Sequence, residues 1–273
     1  MKYNEIWKIG KKLYMRFVKD DISALGAQVA YYLILSFFPF LVFLVTLLSY
    51  TNIIGTDFLS MVSAFIPNSV YMLILDIENN VYRTRNKAFI SLGMIATIWS
   101  ASSGVNAFMY GMNKAYKKKE TRPFWKVRAL SVIFTLALST ILFCSIVLIV
   151  FGETLGKHLS EILMHGNSFD LLWNMLRYAI SLVAIFIVFI LFYMYTPNDN
   201  LHVKEVLPGA VLSTIALITL SAGFAFYIDN FSNLSKTYGS IGAAIALLIW
   251  LYWSSVIIFM GSELNALLYR KHK

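Results

Sequence analysis

Long segments without a charged residue are the feature that most constrains how this chain folds. Asp, Glu, Lys and Arg are absent from six segments, namely 22–56, 88–113, 129–152, 178–198, 206–228 and 237–262. A helix that crosses a membrane needs about 20 mostly apolar residues, and an unpaired charge in hydrocarbon is costly. The six segments therefore predict six transmembrane helices.

The composition supports the same prediction. The 273 residues are 59% hydrophobic and 14% charged, whereas about a quarter of an ordinary soluble domain is charged. The segments are longer than strands and lack the alternating pattern of a membrane barrel. We expect an all-α fold, a polytopic membrane helix bundle that forms a single integral membrane domain over 1–273. Its six spans are predicted at approximately 24–50, 89–112, 129–152, 175–196, 206–228 and 239–265.

A seventh charge-free segment, 58–75, is shorter than the others and is interrupted by Pro67. Proline removes a backbone donor and breaks a helix, so two short apolar pieces remain. We predict that this segment is interfacial or re-entrant, on the outer side between spans one and two.

The basic residues predict the orientation of the bundle. Of the 23 Lys and Arg residues, 17 lie before span one, between spans two and three, between spans four and five, or after span six. Basic loops stay in the cytoplasm, so both termini of this multi-pass protein are predicted to be cytoplasmic. The polar, basic first twenty residues do not resemble a cleavable signal peptide, and span one is expected to direct insertion.

The segment 4–19 is predicted to be an amphipathic helix in the plane of the membrane. Ile6, Ile9, Leu13 and Phe17 recur at helical spacing, while basic residues occupy another face. Anionic lipid headgroups explain this pattern and the net charge of +9 better than a nucleic acid does. The expected partners are therefore membrane lipids, at the cytoplasmic face.

Four polar residues within the spans are candidates for a polar path or groove. Gln28 and Ser36 lie in span one, Asn106 lies in span two, and Glu263 lies in span six. Pro39 predicts a kink in span one, and Ser36 can donate to a nearby backbone carbonyl. The alternative is a closed core in which these groups bond to one another, with the kink helping the bundle to close.

Glu263 has two interpretations. It lies near the cytoplasmic end of span six, where a charge is cheaper than at the midplane. The first interpretation is an interfacial carboxylate paired with a basic residue such as Lys126 or Arg128. The second is a gate or a proton-coupled carboxylate.

Signatures of catalysis are absent from the sequence. It contains no P-loop, no HExxH, no GxSxG, one cysteine (Cys144) and four scattered histidines. We therefore predict no catalytic residues, no metal ligands and no cofactor, and we expect that the protein is not an enzyme.

Three segments in this order resemble the YihY/BrkB family of bacterial inner-membrane proteins. They read ALGAQVAYYLILSFFPF, WSASSGVNAFMYGMNKAYKKKETRPFWKVRAL and YGSIGAAIALLIWLYWSSVIIFMGSELNA. The residues that match the family motifs are Tyr32, Ser36, Pro39, Asn113, Tyr238, Gly239, Gly261, Glu263 and Asn265. The resemblance implies a bacterial cytoplasmic membrane. Members have been called ribonuclease BN, a label that nothing in this sequence supports.

Two functions remain open. The family has been linked to virulence and to export of envelope lipids, which favours a transporter or a lipid or amphiphile translocase of the cell envelope. Such a protein predicts a cavity or lateral groove lined by the candidate polar residues. The alternative is a non-transporting structural or accessory protein that scaffolds an envelope complex, through a partner protein or as a homo-oligomer. It predicts the same polar groups bonded to one another in a filled core.

Overall fold

The structure is a computed structural model, and it describes residues 3–50, 87–141, 144, 167–231 and 240–269. The regular structure within these residues is entirely α-helical. Seven helices are described, namely α1 (Tyr3–Lys19), α2 (Ile22–Tyr50), α3 (Lys87–Tyr116), α4 (Phe124–Ile141), α5 (Asn167–Tyr195), α6 (Val203–Phe231) and α7 (Ser240–Tyr269). Each predicted span coincides with one of the helices α2–α7 over the described residues.

Several of these helices are long enough to cross a bilayer. Helices of 29 or 30 residues extend about 44 Å, against about 30 Å of hydrocarbon. Three helical segments are both long and apolar enough to span, namely Phe124–Ile141, Val203–Ile228 and Ile245–Tyr269. Shorter apolar helices cover Ile22–Ser36 and Ala179–Tyr195. The chain is thus a helical membrane protein, and the count of six spans stays a prediction. The predicted segment 58–75 lies outside the described residues.

The predicted amphipathic N-terminal helix is present as α1. Ile9, Leu13 and Phe17 are half-buried against the protein, while Lys8 and Lys12 are exposed. Helix α1 ends in a two-residue turn in which Asp21 has a φ of 54°, a left-handed conformation that Asp tolerates better than most residues. The turn directs the chain straight into α2, so α1 lies against the end of the bundle where α2 begins.

The core is built around contacts between α3, α5 and α7. The ring of Phe108 lies 5.5 Å from that of Phe192 and 5.0 Å from that of Phe259, measured between centroids. Phe134 of α4 adds an edge-to-face contact with Phe192. Such aromatic pairs fix the relative rotation of helices because their geometry is specific.

Helix α7 packs against α6, α2, α3 and α1, with α6 as its most extensive neighbour. The α6–α7 crossing is close because two glycines face each other. A Cβ atom added at Gly209 would collide with the carbonyl oxygen of Gly261 and with the side chain of Asn265. The backbone N–H of Gly209 donates to Oδ1 of Asn265 at 2.6 Å. Small residues at a crossing allow the backbones to approach in this way.

We predict that Gly209→Ala lowers the free energy of unfolding by about 1–3 kcal/mol, the usual cost of overpacking. Gly223→Ala is the matched control in the same helix, since an added Cβ there meets no heavy atom within 4 Å. That control should be neutral or stabilising, because Ala favours helix more than Gly does. Denaturation of both variants in detergent measures the difference, and equal stability would contradict the close crossing.

Candidate functional site

One end of the bundle gathers α1, the α3–α4 loop and the α5–α6 loop, and we call it the basic end. Asn113 joins the two loops, since its Oδ1 accepts the N–H of Asn198 at 2.6 Å and its Nδ2 donates to Glu120 at 2.9 Å. Lys114 donates to the carbonyl of Asp20 at 2.7 Å and so ties α3 to the α1–α2 turn. This motif residue and its neighbour therefore hold the end of the bundle together.

Glu263 lies at the basic end and forms a buried ion pair. Nη1 of Arg16 is 2.7 Å from Oε2 of Glu263, and the two side chains are 19% and 2% exposed. The predicted pairing of Glu263 with a basic residue is confirmed, but that residue is Arg16 and not Lys126 or Arg128. Packing of α1 on α7 brings Arg16 to the carboxylate across 247 residues of sequence, and neither helix alone reveals that contact.

Arg128 contacts α3 rather than Glu263. Its guanidinium stacks 3.8 Å from the centroid of the Trp99 ring. It also donates to the Trp99 carbonyl at 2.8 Å and to the Ser103 hydroxyl at 3.2 Å. A cation–π contact combined with hydrogen bonds stabilises a guanidinium near apolar surroundings. Arg128 thereby fixes the start of α4 against α3.

The interior next to Glu263 is polar. The Tyr193 hydroxyl donates to the Ile258 carbonyl at 2.8 Å and lies 2.6 Å from the hydroxyl of Ser213. Several buried polar atoms have no hydrogen-bond partner within the described part of the chain, among them Tyr116 Oη, Thr196 Oγ1, Ser254 Oγ, Ser262 Oγ and Asn265 Nδ2. Most buried polar groups in proteins are satisfied, so these atoms are exceptions.

The structure separates the four candidate path residues. Ser36 is buried and donates to the Leu33 carbonyl of its own helix at 2.6 Å, as predicted. Gln28 and Asn106 are exposed, whereas Glu263 is buried beside α1. The structure therefore does not unite all four in one site.

Most of the remaining candidate residues lie within helices or at contacts in the core. Helix α2 continues through Pro39, and the predicted kink stays a prediction. Tyr32 is half-buried against the core, while Asn113, Gly261 and Asn265 are buried at helix contacts. Tyr238 and Gly239 lie outside the described residues.

Gln28 and Asn106 are exposed side chains on two neighbouring helices, α2 and α3. Gly26 contacts Val256 and Tyr252 of α7, and Phe108 stacks on Phe259 of α7. Each polar residue lies two positions from its α7-facing neighbour, which is about 200° around the helix. Both side chains therefore point away from α7.

The two side chains also lie at similar depth. Helices α2 and α3 are antiparallel, since Gly104 lies against Leu33 and Gly111 lies against Leu25. This register places Asn106 opposite a position two to three residues from Gln28, or about 4 Å along the axis. The two exposed amides thus lie at similar levels on different helices. Asn106 points away from α2, because Gly104, two residues before it, lies against Leu33 of α2.

Three helices that are long and apolar enough to cross a bilayer define a polytopic α-helical membrane protein. The chain belongs to the virulence factor BrkB family, whose model matches residues 13–273, and the resemblance to the YihY/BrkB family is thereby confirmed. It is 37% identical over 263 residues to a ribonuclease-like protein, YfkH, of Bacillus subtilis (strain 168), covering 96% of both chains.

More distant relatives are larger. The chain is 24% identical over 270 residues to a UPF0761 membrane protein of Xanthomonas campestris pv. campestris (strain B100). The match covers 93% of this chain but 59% of the Xanthomonas protein, so the chain spans about three fifths of that relative's length. No solved structure matches the chain significantly.

Sequence reasoning missed Arg16 as the partner of Glu263. It assigned Arg16 to the polar face of α1, together with the lysines. A signal was nevertheless present, because Arg16 lies three residues after Leu13 and seven after Ile9. That spacing places Arg16 on the edge of the stripe that faces the protein.

We predict that Arg16→Gln and Glu263→Gln each destabilise the protein, because removing one partner leaves a buried charge unpaired, at a typical cost of about 3–5 kcal/mol. The double variant should lose less than the sum of the two single losses. Lys12→Gln, at an exposed position of α1, is the control and should be neutral. Unfolding in detergent measures all four variants, and additive losses would show that the pair is not coupled.

Proposed function

We propose that the chain is a six-span protein of the bacterial cytoplasmic membrane that moves a lipid or another amphiphile between leaflets. In this arrangement α2–α7 are the spans, the basic end is cytoplasmic and α1 lies on the inner surface. The support for this orientation is the distribution of Lys and Arg, of which the basic end carries the larger share.

A single observation carries the transport proposal, namely the exposure of the amides of Gln28 and Asn106 at similar depth on α2 and α3. An amide in contact with hydrocarbon lacks the hydrogen-bond partners that water would supply, and its burial there costs free energy. A lipid headgroup that passes these amides would supply such partners. Exposed polar groups at this depth lower the barrier for a headgroup while the acyl chains stay in the bilayer.

The closed-core alternative receives less support. It requires Gln28, Ser36 and Asn106 to bond to one another, whereas Ser36 bonds within its own helix and both amides are exposed. A scaffold that buries both amides against a second copy or an envelope protein is compatible with their exposure, and a lipid-transport assay separates it from a translocase.

The proposal is transport rather than RNA hydrolysis. The ribonuclease label belongs to the name of the Bacillus relative. The sequence of this chain carries no motif that would bind a metal or activate water for phosphodiester cleavage. No step in the proposed function needs a catalytic residue, a metal or a cofactor.

We predict that reporter fusions after Lys119 and after His165 report opposite compartments, inside and outside respectively. The reason is that the first position follows span two and the second follows span three. Paired alkaline phosphatase and fluorescent protein fusions measure this in cells. The same compartment for both positions would refute the six-span topology.

We further predict that Gln28→Leu combined with Asn106→Leu abolishes lipid movement while leaving the protein folded, because both side chains are exposed. The measurement uses proteoliposomes with a fluorescent phospholipid, in which dithionite reduces only the label of the outer leaflet. Wild-type protein should make the remaining label accessible, and the double variant should not.

Thr219→Leu is the matched control, since Thr219 is an exposed polar residue of α6 whose hydroxyl is satisfied by the Ile215 carbonyl. It should keep wild-type activity. If wild-type protein moves no lipid, the transport proposal fails. Loss of a homodimer or of a co-purified partner in the double variant, with no lipid movement by wild-type protein, would favour the scaffold.

A further inference from the structure

A cavity of about 610 Å³ lies at the basic end, between the start of α4, the end of α5 and the 196–202 loop. Its volume is in the range of ligand pockets. Polar and apolar residues line it together, chiefly Arg122, Lys126, Asn200 and His202 on the polar side and Leu130 and Met194 on the apolar side. The cavity is therefore amphipathic.

Most charges around the cavity are already neutralised. Arg122 donates to Glu120 through Nε at 2.7 Å and Nη2 at 2.6 Å, which holds the pKa of that carboxyl below its usual value. Arg122 also donates to the Thr196 carbonyl at 2.9 Å. Asp199, which lines the cavity, pairs with Lys118 at 3.2 Å. These pairs build the wall and leave little net charge.

Lys126 is different because no described carboxylate forms an ion pair with it. Its side chain is exposed and lines the cavity. Asn198, on the same wall, is occupied, since its Nδ2 donates to the Lys119 carbonyl at 2.9 Å and to the Thr121 hydroxyl at 2.8 Å. The charge that remains available in the cavity is therefore the ammonium of Lys126. An unpaired ammonium favours an anionic ligand.

The depth of the cavity indicates what kind of anion it can receive. Phe124 and Trp125 immediately precede Lys126, and their side chains are 62% and 79% exposed at the start of a membrane-spanning segment. Aromatic residues at that position mark the level of the lipid headgroups. Leu130 and Met194 continue the cavity on its apolar side. A ligand with a phosphate and an attached apolar part matches both sides of the cavity.

We propose that this cavity binds the headgroup of an anionic phospholipid from the leaflet at the basic end, with Lys126 contacting the phosphate. The inference rests on the proposed lipid-handling function and names the place where the lipid would be recognised. It concerns binding alone, so it can be tested without measuring transport.

The experiment measures the thermal stabilisation of the purified, detergent-solubilised full chain by three probes. These are dioctanoyl phosphatidylglycerol, dioctanoyl phosphatidylcholine and inorganic phosphate. We expect stabilisation by the anionic lipid at lower concentration than by the zwitterionic lipid, and none by inorganic phosphate at the same concentrations. Lys126→Gln should weaken the effect of the anionic lipid about tenfold, the loss of one charge-assisted hydrogen bond.

Lys119→Gln is the matched control, because it removes the same charge from an exposed loop residue outside the cavity. It should leave binding unchanged. Asn200→Trp enlarges an exposed side chain of the cavity lining and should also weaken binding. If that variant does not fold, the comparison of Lys126→Gln with Lys119→Gln decides the question.

Three outcomes would overturn the inference. Equal weakening by Lys126→Gln and Lys119→Gln would show a general surface charge effect. Unchanged binding in Lys126→Gln would place the lipid elsewhere. Stabilisation by inorganic phosphate as strong as that by the anionic lipid, and dependent on Lys126, would show a site for a soluble anion. Retained lipid binding in the Gln28→Leu, Asn106→Leu variant, by contrast, would show that binding at the cavity does not depend on the two amides proposed for transport.

Discussion

Ten residues of α7 hold the bundle together, because each turn of this segment faces a different neighbour. Val256 contacts α2, Phe259 stacks on α3, and Gly261 lies against α6 and the Tyr193 hydroxyl of α5. Glu263 then pairs with α1, and Asn265 accepts the backbone N–H of Gly209 in α6. Within hydrocarbon the hydrophobic effect does not draw helices together, so close packing and specific polar contacts must do so. The small and polar residues of this segment supply both.

The ion pair at Glu263 specifies the position of α1 more than it stabilises the fold. Desolvation of two charges offsets much of their attraction, so a buried pair contributes little net free energy. Breaking the pair is nevertheless costly, and α1 is thereby fixed against the end of α7. Its opposite face, with Trp7, Tyr14 and Val18, stays exposed. A helix held by the protein on one side and apolar on the other suits the proposed position at a membrane surface.

The helices could be predicted from the sequence because the cost of a charge in hydrocarbon leaves long charge-free segments. The amphipathic helix α1 could also be predicted, because its apolar residues recur at helical spacing and its basic residues lie on another face. The direction in which an intramembrane side chain points could not be predicted, since Gln28 and Ser36 differ by 80° of helical rotation in an ideal helix and only packing decides which is buried. The residues predicted to pair with Glu263 were wrong. Lys126 and Arg128 were chosen because they are expected at the same end of the bundle as Glu263, whereas the observed contact with Arg16 depends on how α1 packs against α7.

Polar groups connect the cavity with Asn106 along the side of α3 that meets α4. Lys126 lines the cavity, and two residues later Arg128 donates to Ser103. Ser103 and Asn106 are three residues apart on α3, so they lie on the same side of that helix. Counted from Asn113 at the basic end, Asn106 is seven residues along α3 and Ser103 is ten, so the Arg128 guanidinium lies at or beyond the level of the Asn106 amide. Under the two proposals a phosphate that leaves Lys126 therefore meets Asn106 and Arg128 together. The guanidinium already donates to the Trp99 carbonyl and the Ser103 hydroxyl, whereas the ammonium of Lys126 has no described carboxylate partner. A phosphate would therefore be bound more tightly at Lys126, at the headgroup level, than beside Arg128, which allows it to enter from the leaflet at the basic end without being trapped inside the bilayer.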